Sequence, residues 1–359
     1  MGLLTGAPAP LFKALSPVNP SFALSSLGGR YVVLGFLPGP GPERDAALAL
    51  VARFSALFHD DNCLFFGVLP DRASFERATN TPPHRWFADL DGDLRRLYDA
   101  EDAEGALVPR WVAIDPTQRL LGWRPLAEGE ALFRYLLSMG PAASHAAVPM
   151  HAPVLIVPRI LEPALCQRLI DIYREDGGSP SGVMREQDGR TVGVLDDFKR
   201  RRDTTLTDET LLNTLRHRVQ MRLAPQIQKA FQFEATRIER YIVACYDAKD
   251  GGYFKAHRDN TTAGTAHRKF AVSINLNAEE FEGGNLRFPE FGPQTYRPPT
   301  GGAVVFSCSL LHEATPVTEG TRYAFLPFLF DEAGARIRIA NQHLLSAGVA
   351  DPSTEAPPT

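Results

Sequence analysis

The feature that most constrains this chain is a change in its hydrophobic rhythm, and the change falls at one place. Residues 139–153, MGPAASHAAVPMHAP, are rich in Ala, Pro and Ser and have no periodicity. Before them, apolar residues come in short continuous runs. After them, they come first at helical spacing and then in brief alternating stretches cut by Gly and Pro. Strands buried on both faces and strands with one polar face belong to different sheet architectures. The segment therefore separates two domains, and 359 residues suffice for two cores. The expected boundaries are a first domain over residues 1–138, a linker over 139–151, a second domain over 152–335 and a tail over 336–359. The polar, Pro-rich stretch from residue 347 is expected to be disordered.

In the first domain, residues 31–37 (YVVLGFL) and 63–69 (CLFFGVL) are nearly unbroken apolar runs, as suits strands covered on both sides. Between them, Leu48, Val51, Phe54 and Phe58 share one face of a helix expected over residues 45–58. A third strand, 111–114, pairs with 119–123 across the Asp115-Pro116 turn. Strand, helix, strand and a late hairpin make an α/β sandwich. The second domain opens with a strand at 154–157 and a helix over 162–173, with Leu169, Ile170 and Tyr173 on its apolar side. A longer helix starts near Asp208. Leu211, Leu215, Val219, Leu223, Ile227 and Phe231 recur every four residues along it, and Pro225 is expected to kink it. From Arg237 onward the pattern is short strands and turns. Phe270, Val272, Ile274 and Leu276 alternate with small or polar residues, and Gly283-Gly284, Pro298-Pro299 and Gly301-Gly302 punctuate the rest. This is the signature of a double-sheet jelly roll.

Composition narrows the function classes. A net charge of −4 gives no global electrostatic case for nucleic acid or a membrane surface. No apolar run approaches the roughly 20 residues that cross a bilayer. The first residues, MGLLTGAPAPLFKAL, lack the basic start of a signal peptide, and Gly6 stands where a myristoylation motif needs Ser or Thr. Cys63, Cys166, Cys245 and Cys308 sit among apolar neighbours with no CxxC pair. Reduced, buried thiols in a cytoplasmic protein are expected.

The chemistry concentrates in residues 253–260, YFKAHRDN. His257 and Asp259 are two apart, so on a strand both project from one face toward one ion. An imidazole and a carboxylate suit Fe(II) better than a thiolate-loving metal. His312, in FSCSLLHEATPV, follows the expected strand 303–307 and supplies a third ligand, completing a facial triad with open positions on iron. Arg322 stands ten residues later, at the start of an expected strand RYAFLPFLF. A guanidinium forks two hydrogen bonds onto a carboxylate and keeps its charge, which suits the distal carboxylate of 2-oxoglutarate. Strand position alone makes Phe254, Ser273 and Asn275 candidate pocket lining. His217 and His267 read as structural or solvent-facing, and the remaining histidines carry no pattern.

At these residues the chain resembles the prolyl 4-hydroxylase-like branch of the 2-oxoglutarate/Fe(II) oxygenases. The resemblance covers about residues 152–332. It includes PVLIVPRILEPALCQRLIDIY, RYIVACY, the HRD triplet, EGGNLRFPEFG and HEATPVTEGTRYAF. It implies a double-stranded β-helix core, iron held by His257, Asp259 and His312, and consumption of O2. It also implies decarboxylation of 2-oxoglutarate to succinate, with ascorbate as reductant. Arg322 would bind the co-substrate carboxylate, and Tyr246 matches a tyrosine that supports the same carboxylate. The nucleic-acid demethylases of the superfamily place a second Arg six residues after the first; here Phe328 stands there, which argues against a nucleic-acid substrate. The substrate is a small molecule or a protein residue such as proline. Lys199-Arg200-Arg201-Arg202 reads first as a solvated face and, more sharply, as a clamp for an acidic substrate.

Residues 5–138 resemble a peroxiredoxin/thioredoxin-fold domain through GAPAPLF, FALSSLGGRYVVLGFLPGPG, FADLDGDLRRLY and VPRWVAIDPTQRLL, with Pro109 where such folds often carry a cis-proline. The departure is chemical. Counting the PxxxTxxC turn from Pro38, Pro42 replaces the Thr and Asp45 replaces the peroxidatic Cys. Without that thiolate there is no nucleophile for peroxide, so the domain is expected to dock a protein partner, sense or stabilise. Two other readings of the whole chain are a thiol peroxidase with an accessory β domain and a non-catalytic binding or sensor module. The missing thiol argues against the first. The intact triad argues against the second, because paired ligand groups are costly to keep together without a metal.

Overall fold

In a computed structural model of the protein, residues 2–345 are described. The expected disordered stretch from residue 347 lies outside them. The chain divides into two compact units. One comprises the residues up to 152 together with Pro289–Pro293, and the other comprises the remaining described residues.

The first unit is a thioredoxin-like α/β sandwich. Its five strands run in the order Trp86–Ala88, Cys63–Leu69, Tyr31–Phe36, Arg110–Ile114, Leu120–Pro125, the first three parallel and the last two antiparallel. Every residue of Tyr31–Phe36 and Cys63–Leu69 is buried, which is why these runs are unbroken. Tyr31, Val33, Cys63 and Phe65 pack on one face with Val51 and Phe133. Val32, Leu34, Phe36, Leu64 and Phe66 pack on the other with Phe87 and Tyr98. Gly67 is demanded by close approach: a Cβ there would lie 2.5 Å from the Trp86 ring. The helix expected over 45–58 is Pro42–Arg53, with proline in its first turn, where its missing N–H is not needed. Leu57 and Phe58 are buried from the turns that follow. Pro109 is not cis; the cis bond among the described residues is Pro82-Pro83.

The second unit is a jelly roll of two antiparallel sheets. The larger contains Phe270–Asn275, Val317–Phe325 and Ile242–Asp247 at its centre. The smaller runs Lys199–Arg200, Tyr253–His257, His312–Ala314, Leu286–Arg287, Thr295–Tyr296. Strand alternation splits the larger sheet into two faces. Val243, Cys245, Val272, Ile274, Tyr323 and Phe325 pack against Leu169, Leu215 and Ile227 of the helices. Tyr246, Ser273, Asn275 and Arg322 therefore fall on the opposite face. The helix from Asp208 is not simply kinked. Glu209–Arg218 passes through a π turn, Val219–Leu223, into Ala224–Phe231. Pro225 lacks the N–H that a regular turn would use, and the wider turn keeps Val219 and Leu223 buried. The strand expected from Arg322 to Phe330 is two strands, Val317–Phe325 and Phe328–Phe330, parted at Leu326-Pro327. Residues assigned to the tail include most of the helix Glu332–Asn341, whose start Asp331 caps by accepting from the Gly334 N–H at 2.8 Å.

Candidate metal centre

His257 ends the strand Tyr253–His257 and pairs directly with His312, which begins His312–Ala314. Asp259 lies in the turn beyond the first strand rather than on it, and His312 opens its own strand rather than closing 303–307. The turn is fixed by its hydrogen bonds. The Asp259 N–H donates to the Cys308 carbonyl at 3.0 Å, and the Asn260 amide donates to Ser309 Oγ at 2.8 Å. The three side chains converge: Nε2 of His257 is 3.5 Å from one Asp259 oxygen and Nε2 of His312 is 3.3 Å from the other. All three donor atoms lie within 4.8 Å of one another.

The imidazole tautomers follow from the main chain. Nδ1 of His257 lies 2.7 Å from the Lys255 carbonyl and Nδ1 of His312 lies 3.0 Å from that of Leu310. A carbonyl only accepts, so each Nδ1 carries the proton and each Nε2 presents a lone pair inward. Burial, reinforced by the adjacent His257, pushes the His312 pKa down to about 4, so its ring is neutral at neutral pH. Two imidazole lone pairs and one carboxylate fit a divalent first-row metal such as iron. Phe254 stacks on His257 with ring centres 3.4 Å apart, and Phe306 lies 4.5 Å from His312, which limits how far either ring can turn.

Arg322 and Tyr246 are directly paired across neighbouring strands. The guanidinium lies 5.1 Å from the tyrosine ring centre. Nη2 donates to Ser273 Oγ at 2.8 Å and Nε to Asn275 Oδ1 at 3.2 Å. Among the described residues no carboxylate pairs with Arg322, although it is only 2% exposed. Among the described residues its Nη1 has no hydrogen-bond partner, so one side of the fork is open to an incoming anion. One cavity is lined by the three donor residues together with Arg201, Arg240, Tyr246, Phe254, Arg322 and Phe328.

The 199–202 run is not a uniformly solvated face. Lys199 and Arg201 are buried, while Arg200 and Arg202 are exposed. Arg201 pairs with Asp203 at 2.6 Å and donates to the Tyr246 hydroxyl at 3.3 Å. Lys199 donates to Ser181 Oγ and to the Gly182 carbonyl. The segment 179–203 is largely strand, including the hairpin Val183–Gln187 with Arg190–Val194. His267 is structural, bonded to buried Glu239. Arg240, which also lines the cavity, opens the RYIVACY segment, but nothing in that segment marks its side chain for the site. In the first unit Cys63 is fully buried, and burial pushes its thiol far above the ordinary range, so it is no nucleophile.

Residues 241–330 match the family model of the 2OG-Fe(II) oxygenase superfamily, and the C-terminal region carries a domain of that kind. Within it, the chain is similar to PKHD-type hydroxylases. It is 30% identical over 93 residues to that of Synechococcus sp. (strain JA-2-3B'a(2-13)), a match covering 24% of this chain and 41% of that protein. The chain thus spans about two fifths of the length of the curated relatives it matches. Among solved structures, the collagen prolyl hydroxylase vCPH of Paramecium Bursaria Chlorella virus-1 is 16% identical. It covers 49% of this chain and 94% of its own, with a TM-score of 0.37. The mitochondrial 2-Cys peroxiredoxin of Plasmodium falciparum is 18% identical and covers 38% and 93%, with a TM-score of 0.32. No helix of the described residues is long and apolar enough to cross a membrane.

Proposed function

We propose that this protein is an Fe(II)- and 2-oxoglutarate-dependent dioxygenase that hydroxylates a small molecule or a protein residue, proline being the leading residue type. One observation carries the reading. Two inward Nε2 atoms and a carboxylate meet in a cavity that also contains a buried arginine without a carboxylate partner. His257, Asp259 and His312 hold the metal. Arg322, positioned by Ser273 and Asn275, takes the distal carboxylate of 2-oxoglutarate, and Tyr246 supports the same end. When bound, iron supplies the activation of O2 coupled to conversion of 2-oxoglutarate to succinate and CO2, with ascorbate as reductant. The Phe254 and Phe306 rings pack against the imidazoles and hold their planes. The likeness to PKHD-type hydroxylases supports the reaction class.

The N-terminal unit, with Asp45 at the peroxidatic position and Cys63 sealed in a strand, is assigned a docking role toward a protein partner rather than thiol chemistry. Four free, buried cysteines support a reducing, cytoplasmic setting. The test is iron content together with O2-dependent succinate formation from 2-oxoglutarate. One iron per chain and slow turnover without added substrate are expected, and both disappear in Asp259→Ala. Turnover that persists in that variant would overturn the assignment.

A further inference from the structure

Arg240 faces the same cavity as the candidate iron ligands and Arg322, and neither metal nor co-substrate accounts for it. Its backbone lies in the left-handed region, at φ 67°. A residue with a Cβ is strained there by about 1 kcal/mol or more. Glycine would relieve that strain, so what the position gains from arginine resides in the side chain. Nε and Nη2 both donate to the Leu326 carbonyl, at 3.3 and 3.1 Å. That grip leaves Nη1 without a hydrogen-bond partner among the described residues. The Phe328 ring centre is 4.4 Å from Cζ of Arg240 and 4.0 Å from Cζ of Arg268, so one aromatic ring serves both cations. This ring occupies the position six residues after Arg322.

The charges around the cavity do not cancel without a further anion. Arg201 is matched by Asp203 and Arg268 by Glu239, at 2.6 and 2.8 Å. Bound iron and Arg322 are matched by Asp259 and the two carboxylates of 2-oxoglutarate. Among the described residues no carboxylate pairs with Arg240. Burial, then the nearby Arg201 and Arg268, lowers its pKa to about 10, against the weaker pull of Asp203 and Asp259. Two buried cations are thus left without a carboxylate partner among the described residues, Lys199, held by Ser181 and Gly182, and Arg240, and of the two Arg240 lines the cavity.

We propose that Arg240 is the specificity-determining contact for a carboxylate on the primary substrate, so that the enzyme acts on a small molecule or a peptide segment that carries one. The assignment rests on the oxygenase reading of the same cavity. A monoanion matches one cation, and a guanidinium edge suits a carboxylate. The adjoining open groove is lined by Lys199, Arg200, Arg202 and Lys249 as well as Asp196, Asp247 and Asp250, and Arg201 lines both spaces.

The experiment uses acetate as the minimal carboxylate and acetamide as its neutral isostere. The full-length protein is loaded anaerobically with Fe(II) and 2-oxoglutarate. Formation of the visible iron–2-oxo acid band reports that the site is assembled. Relaxation of carbon-13 acetate by the paramagnetic iron is then titrated at constant ionic strength. Saturable relaxation with acetate but not acetamide is expected. Its apparent Kd should rise at least about tenfold in Arg240→Gln, the loss of one charge-assisted hydrogen bond, and less in Arg240→Lys, while the band still forms in both. N-acetylglycine and the α-amide of N-acetylaspartate then replace acetate, to separate a chain-terminal from a side-chain carboxylate. Arg240-dependent saturation by either identifies the source. Saturation by neither would overturn the proposal, since the site would then accept only a small buffer ion. Absence of the band in the wild-type protein would remove the oxygenase reading and this proposal with it. A normal band with acetate relaxation indifferent to Arg240 would overturn this proposal alone.

Discussion

Strand Tyr31–Phe36 of the N-terminal unit and strand Val317–Phe325 of the C-terminal unit are both interior to their sheets, yet they treat their faces differently. The first sends Tyr31 and Val33 into one apolar core and Val32, Leu34 and Phe36 into another. The second sends Tyr323 and Phe325 into a core and turns Arg322 the other way. Its neighbours do the same: Val272 and Ile274 pack, while Ser273 and Asn275 hold the guanidinium. A sheet that buries hydrocarbon on both faces is spent on packing. A sheet that buries hydrocarbon on one face and polar groups on the other holds those groups in fixed positions, and buried polar groups are kept only where partners satisfy them. In this chain the second arrangement is where a ligand is expected.

That contrast can be broken most severely at the metal. His257→Ala or His312→Ala should weaken iron binding by well over the roughly 10–100-fold cost of losing an outer partner, measured as iron per chain after dialysis. The thermal transition of the N-terminal unit should not move. The reciprocal change is Trp111→Ala. This ring is fully buried between the strand Arg110–Ile114 and Phe133, and its loss should cost about 3–5 kcal/mol in denaturant unfolding of that unit, with iron binding retained. Unfolding and iron loss in step, in either variant, would deny that the two sheets have separate tasks.

A finer test sits on one strand. Ser273→Ala removes an acceptor from Arg322 and should weaken 2-oxoglutarate binding by a factor of about ten, the scale of one hydrogen bond from a charged donor, with a stability loss of about 1 kcal/mol for the donor left unsatisfied. Val272→Ala, one residue away and facing the core, should cost roughly 2 kcal/mol of stability and leave 2-oxoglutarate affinity alone. The reverse pattern would mean that the strand's parity has been misread.

The smallest effect expected is in the scaffold behind the sheet. Glu162 is pulled down to about 2, chiefly by its hydrogen bond from Arg222, with burial opposing and Arg218 adding to the pull. A carboxylate with a depressed folded-state pKa contributes stability that is complete above its unfolded value of about 4.5 and is lost as pH falls toward 2. The group is 40% exposed, so the contribution is under about 1 kcal/mol after solvent screening. Glu162→Gln should flatten the acid side of the stability profile of the C-terminal unit between those values.

The site was legible in the sequence to the extent that its residues stand at fixed offsets. His257, Asp259, His312 and Arg322 can be found because strand spacing and ligand chemistry restrict where they fall. Ser273 and Asn275 follow from parity on a strand whose apolar residues alternate. Lys199 and Arg201 stand in a run that reads as solvated, because four consecutive basic residues look alike until a strand turns alternate ones inward. Arg240 could not be found at all. Its approach to the cavity depends on a left-handed backbone and on the break at Leu326-Pro327 that brings a carbonyl within reach. The π turn before Pro225 was likewise invisible, since a four-residue apolar spacing runs through it unchanged. Pro109 shows the opposite error, an expectation carried by resemblance that local geometry does not bear out.

The most direct measurement is an anaerobic titration of the purified protein with Fe(II) and then 2-oxoglutarate, followed by the weak visible band of a chelated iron–2-oxo acid complex. The account predicts a saturable band in the wild-type protein. It predicts no band in His257→Ala, and a 2-oxoglutarate Kd raised roughly 10–100-fold in Arg322→Ala, the loss of a charged hydrogen-bond donor. Well-folded wild-type protein that binds iron but gives no band at any 2-oxoglutarate concentration would contradict it.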